Sequence, residues 1–124
     1  MDSEPKAFVN WQKVQEILAK EITAGVSSAL LFNSKGALLT SAGDIKNEHI
    51  ISALTANIWQ SYADTQKKLN FMLILCEDGK LGVAGVGAFR ICMYSNDFKY
   101  PLGLLKAKIE RVVAKLDKPL SSVY

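Results

Sequence analysis

The sequence is poor in the residues that secreted, metal-binding or catalytic domains draw on. It holds one histidine, two cysteines and three prolines in 124 residues. With His49 alone, a metal site built from several imidazoles at their usual spacings is excluded. Cys76 and Cys92 are not in a C-x-x-C spacing, and both sit inside apolar strings, Leu-Ile-Leu-Cys and Ile-Cys-Met-Tyr. They read as small buried hydrophobes with free thiols, too few to staple a secreted domain of this size. A reducing, cytosolic setting follows. Apolar runs such as 71–76 fall far short of the roughly 20 residues needed to cross a bilayer, so no direct membrane insertion is expected. The opening Met1-Asp2-Ser3-Glu4-Pro5 is acidic and polar, without the apolar core of a signal peptide, and no lipidation motif is present. Any membrane association would come through a partner.

Arginine is also scarce. Of the fifteen basic residues thirteen are lysines, scattered along the chain, which leaves only Arg90 and Arg111. Base readout by arginine is poorly supported, and the net charge of +3 reads as surface solubility rather than nucleic-acid binding.

Catalytic constellations are equally thin. A dyad of His49 with either cysteine has no local support, because the thiols lie in apolar runs. Gly82, Gly85 and Gly87 form a glycine-rich stretch without the Walker pattern and without a helix obviously starting behind it, so strand glycines at a twist, or under a packed helix, explain them better. Glu77 and Asp78 share a turn, and Asp44 and Glu48 flank a helix start; turn chemistry and helix-end charge account for both pairs. No enzyme activity and no cofactor are expected.

What is present is one domain over 1–124, with a short polar extension at 1–6. At this length the chain supports one core. Its 49% hydrophobic and 22% charged residues are ordinary for a globular fold. Trp11, Val14, Ile17, Leu18 and Ile22 recur at helical spacing and predict a helix over 8–22. Strands are predicted at 26–32 and 37–40, joined by the turn Asn33-Ser34-Lys35-Gly36, in which Asn and Gly supply the turn geometry. A second helix is predicted over 47–63, then a polar link at 64–68, strands at 69–76, 80–86 and 88–94, and a last helix from Pro101 to about Leu116. In that last helix Leu105, Ile109, Val112 and Leu116 form the buried stripe. Lys106, Lys108, Glu110, Arg111 and Lys115 form the solvated side, and Pro119 marks the stop. Hairpin-linked strands imply a mainly antiparallel five-stranded sheet flanked by three helices, an α+β fold in the order α-β-β-α-β-β-β-α. The apolar string 71–75 predicts a strand covered on both faces.

The second helix has two non-polar faces. Ile50, Ile51, Leu54, Ile58 and Tyr62 make a long-chained stripe, expected to lie on the sheet. Trp59 lies roughly 140° from Leu54 on the helical wheel, grouped with Ser52, Ala56 and Ala63. A helix lying on a sheet needs one apolar face, so the small-residue face around Trp59 is expected to meet a partner, with Trp59 itself left to either that surface or the chain's own core.

Several strings resemble the roadblock family. They are Gly25-Val26 leading into Leu30-Leu31-Phe32, then Gly36-Ala37-Leu38-Leu39, Ala56-Asn57-Ile58-Trp59 with Tyr62, Cys92-Met93-Tyr94, and Gly103-Leu104-Leu105-Lys106-Ala107-Lys108, with Lys118-Pro119-Leu120 beyond. Within that family the strings are most similar to the roadblock subunits of the Ragulator complex. The departures are the N-terminal Asp2-Ser3-Glu4-Pro5 and Trp11, and a short 64–68 link. The resemblance implies a roadblock/profilin-like sheet and a non-catalytic scaffold. It also implies pairing with a second roadblock subunit through the second helix and the third strand, so that two sheets join edge to edge. The surface so implied comprises Ser52, Ala53, Ala56, Asn57, Trp59, Gln60 and Ala63 on the helix, with Leu69, Phe71, Leu73 and Leu75 on the strand. Further implied are a lipidated scaffold protein that holds the pair on the cytosolic face of late endosomes and lysosomes, and docking of Rag-type small GTPases in signalling to the TOR kinase complex. A homodimeric roadblock protein that regulates another small GTPase, or links cargo to dynein, is the alternative. A small-molecule sensor using the sheet surface is a third reading, against which stands the lack of convergent polar groups.

Overall fold

The computed structural model describes residues 9–23, 25–65 and 69–120. The predicted extension 1–6, the predicted helix start at Phe8 and residues 66–68 of the predicted link lie outside the described residues. The elements are α1 (Trp11–Lys20), β1 (Ser28–Asn33), β2 (Leu38–Gly43), α2 (Glu48–Ala63), β3 (Phe71–Cys76), β4 (Gly79–Val86), β5 (Phe89–Ser95) and α3 (Leu102–Leu120). This is the predicted order. All strand pairs are antiparallel, and the spatial order β2-β1-β5-β4-β3 puts the first and last strands side by side at the centre.

Local chemistry explains the ends of the elements. The Asn10 side chain accepts from the Lys13 backbone N–H at 3.1 Å and caps α1. The β1–β2 turn is tied by Asn33, whose Oδ1 accepts from the N–H groups of Lys35 and Ala37. Gly36 completes it with φ +88°, a conformation that side chains rarely adopt. The pairing of β1 with β2 shifts register between Leu31 and Phe32. This bulge ends the ladder beside the turn.

The sheet is sandwiched between helices. Leu31, Ile91 and Met93 face α1 and α3, meeting Leu18, Leu105 and Ile109. Leu30, Phe32, Val83 and Cys92 face α2. The continuous apolar runs of β1 and β3 follow from cover on both sides; in β3, Phe71 and Leu73 turn to one face, Met72 and Ile74 to the other. Gly82 lies directly under α3, where a Cβ would collide with Ile109 Cδ1.

Four expectations are corrected. The first concerns α2, whose faces are exchanged. Ser52, Thr55, Ala56 and Trp59 are buried against the sheet, while Ile50, Leu54, Ile58 and Tyr62 are exposed. The reason is close approach. A Cβ on Gly36 would stand 2.8 Å from Ala53 Cα and 3.2 Å from Ala56 Cβ, so the hairpin tip and the helix leave room only for small side chains. Where the helix rises over β4, Trp59 fills the gap above Gly85, its Cζ2 3.6 Å from the place a Cβ would occupy. Volume complementarity outweighs side-chain length.

Second, Trp11 is 41% exposed rather than in the core, packed edge-on against Phe89 with ring centroids 6.4 Å apart. Third, α3 runs past Pro119 to Leu120, because Leu120 still packs against the core. Fourth, the basic side of α3 is not simply solvated. Lys108 is buried and donates to the Glu21 carbonyl and the Thr23 hydroxyl. Arg111 and Lys115 reach the buried Glu21 carboxylate at 3.0 and 3.4 Å and tie the end of α1 to α3.

Burial alone would raise the Glu21 pKa, but the hydrogen bonds and charges of Arg111 and Lys115 together hold it below its ordinary value. A carboxyl depressed on folding contributes stability that is present above its unfolded pKa and lost as pH falls through the folded one. Glu21→Gln is therefore expected to lower the urea midpoint at neutral pH. The two proteins should converge as pH drops below about 4. Midpoints separated by the same amount at every pH would show that these ion pairs do not stabilise the fold.

Candidate functional site

The chain leaves β3 at the end of its sheet. A free edge invites strand addition, and folded proteins usually blunt it with charge, proline or a bulge. The string Phe-Met-Leu-Ile-Leu-Cys has neither charge nor proline, and its register with β4 is unbroken. Leu75 on this edge is 74% exposed.

Beside the edge runs the outer face of α2. From Ile50 to Ala63 the helix carries no charged residue, although half of it faces outward. Ile50, Leu54, Ile58 and Tyr62 succeed one another every fourth residue, with 58, 57, 37 and 53% of their surface exposed. Between helix and strand lies a groove of 490 Å³ lined by Ile58, Tyr62, Leu69, Phe71, Met72, Leu73, Ile74 and Leu75. Its lining carries no ionisable group apart from the Tyr62 phenol. Further along the same two elements a second cleft of 640 Å³ is floored by Ile45, Ile51, Leu81 and Tyr94, and rimmed by Asp44, Lys46 and Asp78.

The predicted pairing residues divide into three groups. Leu69, Phe71, Leu73 and Leu75 line the groove as a set. Ser52, Ala56 and Trp59 are buried inside the chain's own fold, and Ala63 packs against the same core cluster. They are corrected from partner contacts to core residues, for the close-packing reason given above. Ala53, Asn57 and Gln60 are exposed but do not line the groove. Ile58 and Tyr62, which do, were assigned to the buried stripe. One sequence signal could have found them: a surface helix without charge over fourteen consecutive positions.

The reactive side chains point away from catalysis. His49 is exposed at the start of α2. Burial pushes the Cys76 thiol up, with the nearby Asp78 charge adding to it, and burial raises fully enclosed Cys92 further. Raised thiols are the opposite of what a nucleophile needs. The Tyr94 hydroxyl, pushed up to about 12 by burial and then by Asp78, donates to the Asp78 carbonyl at 3.1 Å. Among the described residues no group of three or more His, Cys, Asp or Glu is placed to hold a metal, and no helix is long and apolar enough to cross a membrane.

No protein-family model matches the chain. A gliding protein MglB from Thermus thermophilus superposes with a TM-score of 0.79, covering 97% of this chain and 98% of that one at 17% identity. The Roadblock/LC7 domain from Streptomyces avermitilis does so with a TM-score of 0.70, over 82% of this chain and 92% of that one, at 13% identity. The fold is the roadblock/LC7 fold. The resemblance to the roadblock family holds in sequence as well. The Ragulator complex protein LAMTOR2 homolog of Caenorhabditis elegans is 27% identical over 111 residues, 87% of this chain and 90% of that protein. On this fold, the open β3 edge and the uncharged face of α2 form one continuous candidate pairing surface.

Proposed function

We propose that this chain is a non-catalytic adaptor subunit that pairs with a second roadblock chain through α2 and the β3 edge. The observation that carries it is the juxtaposition of an unblunted sheet edge with an uncharged, half-exposed helix. Strand addition would satisfy the open backbone groups of β3, and the groove would take apolar side chains from the partner's helix. The pairing surface is accordingly Ile58 and Tyr62 with Leu69, Phe71, Leu73 and Leu75.

Similarity to the Ragulator protein supports the finer reading. In it the pair is heterodimeric, is held on the cytosolic face of late endosomes and lysosomes by a lipidated scaffold, and anchors Rag-type GTPases in nutrient signalling to the TOR kinase complex. Light scattering of the pure chain, alone and with a second Ragulator roadblock subunit from the same organism, tests this. Self-association or poor solubility alone, and a stable one-to-one complex on mixing, are expected. A clean monomer at high concentration that ignores the added subunit would overturn it.

A homodimer regulating another small GTPase, or linking cargo to dynein, is the second reading. The similarity to an MglB solved in a tetrameric arrangement, TM-score 0.76, favours it. A stable homodimer that does not exchange with the added subunit would select it.

A further inference from the structure

One of the two arginines stands in an unusual place. Arg90 lies on β5, in register with Phe32 of β1 and Gly85 of β4, and its side chain turns to the α2 side of the sheet. There its guanidinium carbon is 5.2 Å from the centroid of the Trp59 ring. Gly85 makes the room, since the nearest atoms to a Cβ at that position would be Trp59 Cζ2 and Arg90 Nη1. This cation–π contact and the hydrogen bond from Nη1 to the Phe89 carbonyl hold the guanidinium in place.

Its hydrogen bonding is incomplete. Nη1 donates to the Phe89 carbonyl at 2.9 Å, while Nε is buried and has no partner. Among the described residues no carboxylate pairs with Arg90, whereas the other arginine, Arg111, is paired with Glu21. The acid nearest in the chain order of α2, Asp64, accepts from Gln60 Nε2 at 2.8 Å. Asp44 and Asp78 stand at the far end of the strands, on the second cleft. The neighbouring turn adds another cation rather than an anion: Asn33 is in register with Phe89, and the turn it opens carries exposed Lys35. Burial of part of the guanidinium lowers the Arg90 pKa, a sign that its charge is poorly solvated.

An arginine that is partly desolvated and has no carboxylate partner among the described residues is expected to weaken the isolated chain, because a methionine of similar length would fill the same space without the desolvation penalty. We propose that Arg90, held over the Trp59 ring, is the docking point for a carboxylate in an acidic segment of a partner protein. The site sits at the β4–β5 turn end of the sheet and shares no residue with the pairing groove. A carboxylate brought to the guanidinium would form charge-assisted hydrogen bonds with a donor that is already oriented, so little ordering is left for binding to drive.

Two measurements on the full chain test this, and neither depends on pairing. Arg90→Met is expected to raise the thermal midpoint of the chain by about 3 °C. A fall of that size would show that the guanidinium is already compensated within the chain, and would overturn the proposal. The second measurement titrates the chain with a hexaglutamate peptide while following the backbone amide resonances of the β4–β5 turn, which the parent and Arg90→Met share, with hexaglutamine and inorganic phosphate as controls. The expected result is a saturable shift with hexaglutamate alone, and binding weakened about tenfold in Arg90→Met. No shift, or an equal shift with phosphate, would mean that no acidic peptide is recognised here.

Discussion

Trp59→Ala is expected to lower the stability of the isolated chain by about 3–5 kcal/mol, the cost of emptying an aromatic site in a packed core. Trp59 keeps only 4% of its surface exposed and closes the α2 side of the sheet beside Leu30, Phe32, Val83 and Cys92. Its removal leaves a hollow that the neighbours cannot fill, since the helix is already pinned at Gly36 through Ala53 and Ala56. The Arg90 guanidinium loses its ring as well. Domains of this size are stable by about 5–15 kcal/mol in total, so the loss removes a large share of the stability and should move the urea midpoint far down. Urea denaturation followed by far-ultraviolet circular dichroism measures the loss. A variant with an unchanged midpoint but impaired pairing would return Trp59 to the partner surface.

That prediction rests on a burial that decides between the two roles the sequence leaves open for Trp59, interface or core, and the decision shows what a single chain makes legible. The order of elements is readable because its signals are local. Asn33 and Gly36 make one turn, Gly87 makes another with φ +58°, and the stripe Leu105, Ile109, Val112 and Leu116 names the buried side of α3 directly. In α2 the helix is equally readable, but its orientation is not. Helical phase separates two non-polar faces without saying which meets the sheet, and side-chain length selects the wrong one. The deciding facts are non-local: Gly36 sits under Ala53 and Ala56, and Gly85 under Trp59. The basic face of α3 is hidden for the same reason. Lys108, Arg111 and Lys115 look like a solvated row until the fold brings Glu21 beneath them from about ninety residues away. On the strand side, by contrast, the four residues that the resemblance implies, Leu69, Phe71, Leu73 and Leu75, line one groove with the helix.

With the faces of α2 exchanged, the variant that should abolish pairing changes too. Ile58→Asp combined with Leu75→Asp is expected to cost the single chain no more than about 1–2 kcal/mol, because Leu75 is 74% exposed and Ile58 37%. Its association should weaken at least about a hundredfold, or about 3 kcal/mol. The estimate follows from two losses. Each large aliphatic side chain buried at an interface contributes roughly 1.5–3 kcal/mol, and each carboxylate would then have to be desolvated against a groove whose lining, among the described residues, is apolar and holds no basic side chain. Sedimentation equilibrium on the parent and the double variant, each with the same second roadblock chain, reads the difference, and urea melts of the variant alone establish that it folds. The pair of experiments separates the two faces of one helix. Trp59→Ala should cost folding and reduce pairing only through it, whereas Ile58→Asp with Leu75→Asp should cost pairing and leave folding intact. Association that survives the double variant would mean that the groove serves some other contact and that roadblock pairing uses the opposite edge at β2.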